Sequence, residues 1–154
     1  MQIIKAAVGF KEEVLRDYEV EHRGFAGYDI GLQYLDTANT RCQGKWGLVL
    51  LSAPEIAKIV LPAHNHPIAV IPESGLSVYD AAQRLQQLPK DQMPDCWERI
   101  IKIKDRDFSK MHLALQIENS VLTHVDGVHR LLSYGLFKMD QNTQEVLAYV
   151  AGLA

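Results

Sequence analysis

Residues Asp126, Gly127, Val128, His129 and Arg130 bring a carboxylate, a flexible turn, an imidazole and a guanidinium together within one short stretch. What they could do depends on the backbone that carries them. Val128, Leu131, Leu132, Gly135 and Met139 recur at i, i+3, i+4, i+7 and i+11, the spacing of one helical face, so a helix is expected over residues 128–137. The run Val121-Leu122-Thr123-His124-Val125 before it reads as a strand. His129 and Arg130 fall off the apolar face and are expected at the exposed start of the helix. A helix start presents unpaired N–H groups and the positive end of the helix dipole, so it attracts anions. An imidazole and a guanidinium there make a compact site for phosphate or carboxylate. Asp126 is placed to cap the helix or hold a metal ion, and Gly127 lets the backbone turn tightly against a ligand. The same residues also suit an ordinary Asp-Gly turn and cap. An arginine at a helix start is mildly unfavourable unless an anion lies near, which favours the functional reading.

Asp126-Gly127-Val128-His129-Arg130, followed by Leu131, Leu132, Ser133 and Tyr134, resembles the D-G-x-H-R-x-x-A signature of the ParB/sulfiredoxin-like group, which includes free serine kinases. Ser133 stands where many of that group have alanine. The segment is also similar to the end of a small bacterial family of unknown function. The first resemblance implies a nucleotide, ATP or ADP with Mg²⁺, bound through Gly127, His129 and Arg130. It implies phosphoryl transfer to a small hydroxylated metabolite, with His129 contacting the transferring phosphate or acting as an acid. Asp126 would orient Mg²⁺ or the ribose. A loop glutamate in the similar kinases corresponds to Glu73, which would accept the hydroxyl proton, with Glu118 as substitute. The sulfiredoxin cysteine lies immediately before His-Arg in its motif. Val128 holds that place here, which disfavours sulfiredoxin chemistry.

Other chemistry-bearing residues are scattered. His64 and His66 flank Asn65, and in an extended segment the two imidazoles would point the same way and could share a metal. Two loop histidines among prolines is the plainer reading. Cys42 and Cys96 have no metal or redox spacing, and Cys96 beside Trp97 reads as apolar packing. Arg84, Arg99, Lys102, Lys104 and Arg106 make the middle of the chain basic, but Asp105 and Asp107 dilute it to a solvated face.

The elements that must position these groups are short and mixed. A strand is expected at residues 2–8, and an amphipathic helix at 10–22 with Phe10, Val14, Leu15 and Tyr18 in its stripe. Gly24 and Gly27 interrupt it. A second helix is expected at 29–42 with Ile30, Tyr34, Leu35 and Ala38 inward. Residues 46–51 read as a buried strand. Ser52-Ala53-Pro54-Glu55 is a capping box opening a short helix toward Val60. Residues 61–75 hold three of the six prolines and read as an ordered loop, extended at 68–71. A helix follows from Ser77 with Val78, Ala81, Ala82 and Leu85 inward, then a mobile loop at 89–94. Residues 94–104 are expected to be helical, burying Trp97, Ile100 and Ile101. Residues 111–117 form a strand beside 121–125, and 145–150 a last strand or helix.

This order predicts an α+β fold, a mixed sheet flanked by helices. Residues 61–139 resemble the ParB/sulfiredoxin-like order, with residues 1–60 as an N-terminal elaboration. At 154 residues one domain is expected, with an apolar fraction of 47% and a charged fraction of 23% ordinary for a globular chain. The net charge of −3 argues against a nucleic-acid partner, no apolar run suits a membrane, and a reduced, cytoplasmic setting is expected. The leading expectation is therefore a small cytoplasmic enzyme, phosphotransferase-like, with a nucleotide and a small-molecule substrate. A non-catalytic nucleotide-sensing module and a non-kinase enzyme built on His64, His66 and His129 are the alternatives.

Overall fold

The run Trp46–Leu51 is buried or half-buried along its whole length, as its unbroken apolar character predicts. It forms the second strand of a sheet in a computed structural model that describes residues 1–24, 27–61, 75–93, 96–108, 112–139 and 145–153. The elements in chain order are β1 (Gln2–Val8), a π-helical turn (Phe10–Leu15), α1 (Arg16–His22), α2 (Tyr28–Arg41), β2 (Trp46–Leu51) and α3 (Ala53–Ala57). They continue with β3 (Val60–Leu61), β4 (Leu76–Ser77), α4 (Val78–Gln87), a 3-10 turn (Lys90–Gln92), α5 (Trp97–Ile103), β5 (Leu113–Glu118), β6 (Val121–Asp126), α6 (Val128–Phe137) and β7 (Val146–Ala151). The expected mixed α and β content is present.

Among the described residues the strands form one seven-stranded sheet, ordered β1-β2-β7-β5-β6-β3-β4. The pairs β5–β7 and β3–β6 are parallel and the other pairs antiparallel. Side chains alternate across a strand, so each strand feeds two cores. Val49, Leu51, Leu113, Leu115, Val146, Ala148 and Val150 pack with α3, α4, α5 and α6. Trp46, Ala114, Tyr149 and Ala151 pack with Val14, Tyr18, Leu35 and Ala38 of the π-turn, α1 and α2. Helices thus cover both faces.

Residues 1–60 are therefore no elaboration. β2 is an interior strand, paired residue for residue with β7 from Trp46↔Ala151 to Leu51↔Val146. The capping box of α3 forms as expected, with Ser52 and Glu55 satisfying each other's backbone groups, but the helix stops at Ala57 and the chain turns into β3. Ile103 is buried on α5 where Ile101 was expected, and Trp97 is half-buried. Ile30 is exposed rather than inward. The extended segment at 68–71, together with His64, Asn65, His66 and Glu73, lies outside the described residues.

Candidate functional site

The turn at Gly127 sets the site. Its φ of 106° is a left-handed conformation that suits glycine. A methyl group there would come within 2.8 Å of Leu113 Cδ2 and 3.1 Å of Arg130 Nε. The sharp turn ends β6 at Asp126, one residue past the expected end, and starts α6 at Val128, where the apolar spacing placed the helix. Gly127 is the N-cap and no side chain caps the helix, so Asp126 does not serve as the cap.

Asp126 turns instead toward Arg130. Arg130 is not at an exposed helix start: it is 5% exposed. Its Nη2 donates to Asp126 Oδ2 at 2.5 Å, and its Nη1 to Glu21 Oε2 at 2.6 Å and to the carbonyl oxygen of His112. The reason is charge: a guanidinium can be buried where carboxylates and a carbonyl satisfy its fork. The sequence spacing placed it off the apolar face but could not show a second helix covering that side.

That helix is α1. His22 Nε2 lies 3.4 Å from Asp126 Oδ1, and His22 Nδ1 lies 2.9 Å from the Tyr18 carbonyl oxygen, an acceptor that requires a proton on Nδ1. The His22 ring stacks on Tyr18, with centroids 4.2 Å apart. Burial works against a charge on His22, but the hydrogen bond and charge of Asp126 outweigh it and raise the imidazole above its ordinary value. Burial likewise opposes ionisation of Asp126, yet Arg130 and then His22 hold it well below the ordinary carboxylate range. Farther along α1, Asp17 Oδ2 accepts from Tyr149 Oη at 2.5 Å and lies 3.1 Å from His112 Nδ1. Asp17 with Glu21, and Tyr18 with His22, are i, i+4 pairs on a face of one helix. This spacing was the available signal, and the sequence reading passed over it as part of an amphipathic helix.

Around this cluster lies a cavity of about 500 Å³. Its floor is the end of β6, with His124 and Val125, and the start of α6, with Gly127, Val128 and His129. The start of α2, at Gly27, Ile30, Gly31 and Tyr34, forms one side; Glu98, Arg99, Lys102 and Ile103 of α5 and the following Arg106 form another. Helices from both faces of the sheet meet here. Asp126, Gly127, His129 and Arg130 are thus brought together at one cavity, with His129 half-buried and His124 buried. Glu118 is elsewhere: it ends β5 at the other end of the hairpin and pairs with Arg41 at 2.8 Å. Arg99, Lys102 and Arg106, read from sequence as a solvated face, line the cavity.

The arrangement favours an anion. Both α2 and α6 begin beside the cavity without a side-chain cap among the described residues, so the positive ends of two dipoles lie near it, that of α2 with Asp29 in its first turn. Asp126 and Glu21 are matched by Arg130 and His22. Along the rim, among the described residues, Lys102 and Arg106 stand with Glu98 and Arg99.

Mg²⁺ requires oxygen ligands in near-octahedral array. Both oxygens of Asp126 already face cations, and among the described residues no group of three or more His, Cys, Asp or Glu could hold a metal ion. Asp126, the carboxylate expected to orient the ion, is thus already engaged by His22 and Arg130. No described helix is long and apolar enough to cross a membrane.

No curated protein and no solved structure matches the chain, so the likeness to the ParB/sulfiredoxin-like group rests on the motif residues alone. A family match does cover residues 1–154, and on it the chain belongs to a family of unknown function (DUF6309).

Proposed function

We propose that the chain binds a small phosphate-bearing molecule in the cavity between α2, α5 and the β6–α6 turn. The observation that carries this reading is the meeting of two helix starts, without a side-chain cap among the described residues, and the rim cations Lys102 and Arg106 at one cavity. The volume of about 500 Å³ lies within the range of small-molecule sites. The resemblance of residues 126–130 to the ParB/sulfiredoxin-like signature supports the same ligand class, with a nucleotide as the first compound to try. One role changes. Arg130 is held by Asp126, Glu21 and the His112 carbonyl, so the phosphate contacts fall to the backbone N–H groups after Gly127, to His129 and to Lys102 and Arg106.

Binding is the reading the geometry favours over phosphoryl transfer. A transferase on this plan needs a carboxylate base near the phosphate. Asp126 and Glu21 are engaged by Arg130, Glu98 stands on the rim beside Arg99 and Lys102, and Glu73 lies outside the described residues.

A thermal-shift series with inorganic phosphate, pyrophosphate, AMP, ADP and ATP, at matched ionic strength against chloride, tests the proposal. A compound present at a hundred times its Kd stabilises by about 2.7 kcal/mol. A rise in Tm with phosphate compounds over chloride is the expected result. No rise with any of them refutes it.

A further inference from the structure

We infer that the bound molecule is an amphipathic phosphate ester, its ring seated against α2 and its phosphate directed to α5 and the start of α6. This rests on the phosphate reading above and adds the chemistry of the ligand's other half.

The cavity has two unlike sides. On the α5 side stand Lys102 and Arg106. On the α2 side stand Ile30 and, one helical turn later, Tyr34, with Gly31 between them. Ile30 is 45% exposed, whereas Leu35 and Ala38 on the same helix are buried under the sheet. A lone exposed isoleucine is ordinary on a protein surface. Here it borders a concave site and continues into Val125 and Val128, which also line it. Gly31 is fixed as glycine by a different contact: a methyl group would sit 2.2 Å from Tyr18 Oη. Gly31 thus packs α2 close against Tyr18, and Ile30 and Tyr34, one turn apart, form a small apolar shelf at the cavity.

A phosphate alone would leave that shelf wet and most of a cavity of about 500 Å³ unfilled. A polyhydroxylated body would place hydroxyls against Ile30, which offers no hydrogen bonds, and would lose its own hydration. A flat ring gains by covering aliphatic and aromatic side chains and loses little. The pairing of an apolar shelf with a cationic rim thus selects an aryl or heteroaryl phosphate.

The test compares phenyl phosphate with glycerol 2-phosphate, which carries the same charge without a ring, by calorimetric titration at matched ionic strength. The expected result is about tenfold tighter binding of phenyl phosphate, from roughly 60 Å² of apolar surface covered. Ile30→Ser should erase most of that preference and leave glycerol 2-phosphate unchanged; because Ile30 is exposed, the variant should melt like the wild type. Lys102→Ala should weaken both esters alike. Equal affinity for the two esters in the wild type overturns the ring assignment and leaves the phosphate site standing, as does an Ile30→Ser variant that weakens both equally. Binding of neither ester overturns the phosphate reading and the ring assignment together.

Discussion

Arg130 shows how burial changes the role of a residue. Its guanidinium is 6% exposed and joins α6 to α1 through Glu21, 109 residues earlier in the chain, as well as to Asp126. Removing it leaves Glu21 without its cation and Asp126 with His22 alone, in a poorly solvated place. Arg130→Ala should therefore destabilise the protein by about 3–5 kcal/mol, measured by urea or thermal unfolding. A variant that melts like the wild type would show that the cluster contributes nothing to the fold. The linked pair His22 and Asp126 gives a pH signature. The raised His22 pKa makes its contribution complete below about pH 6.5 and lost as pH rises through the folded value. The depressed Asp126 pKa makes its contribution complete above about pH 4 and lost as pH falls toward the folded value. The cluster, in which Arg130 and the Tyr18 carbonyl also face His22, is firmest between those limits. The difference in Tm between wild type and His22→Gln should shrink as pH is raised from 6 to 9. A difference constant over that range would mean that His22 does not titrate there.

At the scale of elements, the β6–turn–α6 unit depends on one backbone conformation. Gly127→Ala forces a side chain into a left-handed turn and against Leu113 and Arg130. It should cost about 1–3 kcal/mol from the backbone alone, and circular dichroism melts should place it below Ala controls on exposed helix sites. Much of this unit was legible in the sequence, because local rules govern it. The apolar spacing from Val128 gave the helix its observed ends, Ser52 and Glu55 gave the cap of α3, and Ser77 the cap of α4, where its hydroxyl accepts from the Asp80 N–H. What escaped was non-local. Periodicity says which residues leave a helix's own apolar face, not what another helix brings to them, so Arg130 read as exposed and nothing linked it to Glu21 of α1. Ile30 escaped for the opposite reason: its spacing is that of a core residue, but it comes at the start of α2, where the helix borders the cavity rather than the sheet. The cations of α5 were visible as a basic run, and only the fold sets them across from two helix starts.

At the scale of the molecule, one sheet joins both halves of the chain. β2 lies between β1 and β7, and the parallel pair β5–β7 connects this half to the β5–β6 hairpin at the site. A fragment of residues 61–154 would expose the interior edge of β7 and the cluster around Tyr149, and would lose Glu21 and His22 from the Arg130 cluster. It should fail to give a cooperative melt or dispersed amide resonances, and a folded fragment would restore the view of residues 1–60 as an addition. The central claim concerns what the joined layers enclose: a cavity whose rim cations and helix starts hold phosphate. Its most direct measurement is calorimetric titration of AMP into the wild type and into Lys102→Ala/Arg106→Ala at matched ionic strength. Both side chains are exposed, so each is worth about 0.5–1 kcal/mol to a bound anion after solvent screening. The double variant should melt like the wild type and bind AMP roughly five- to thirtyfold more weakly. A wild type that gives no binding heat and no protection from melting, or a double variant with unchanged affinity, would contradict it.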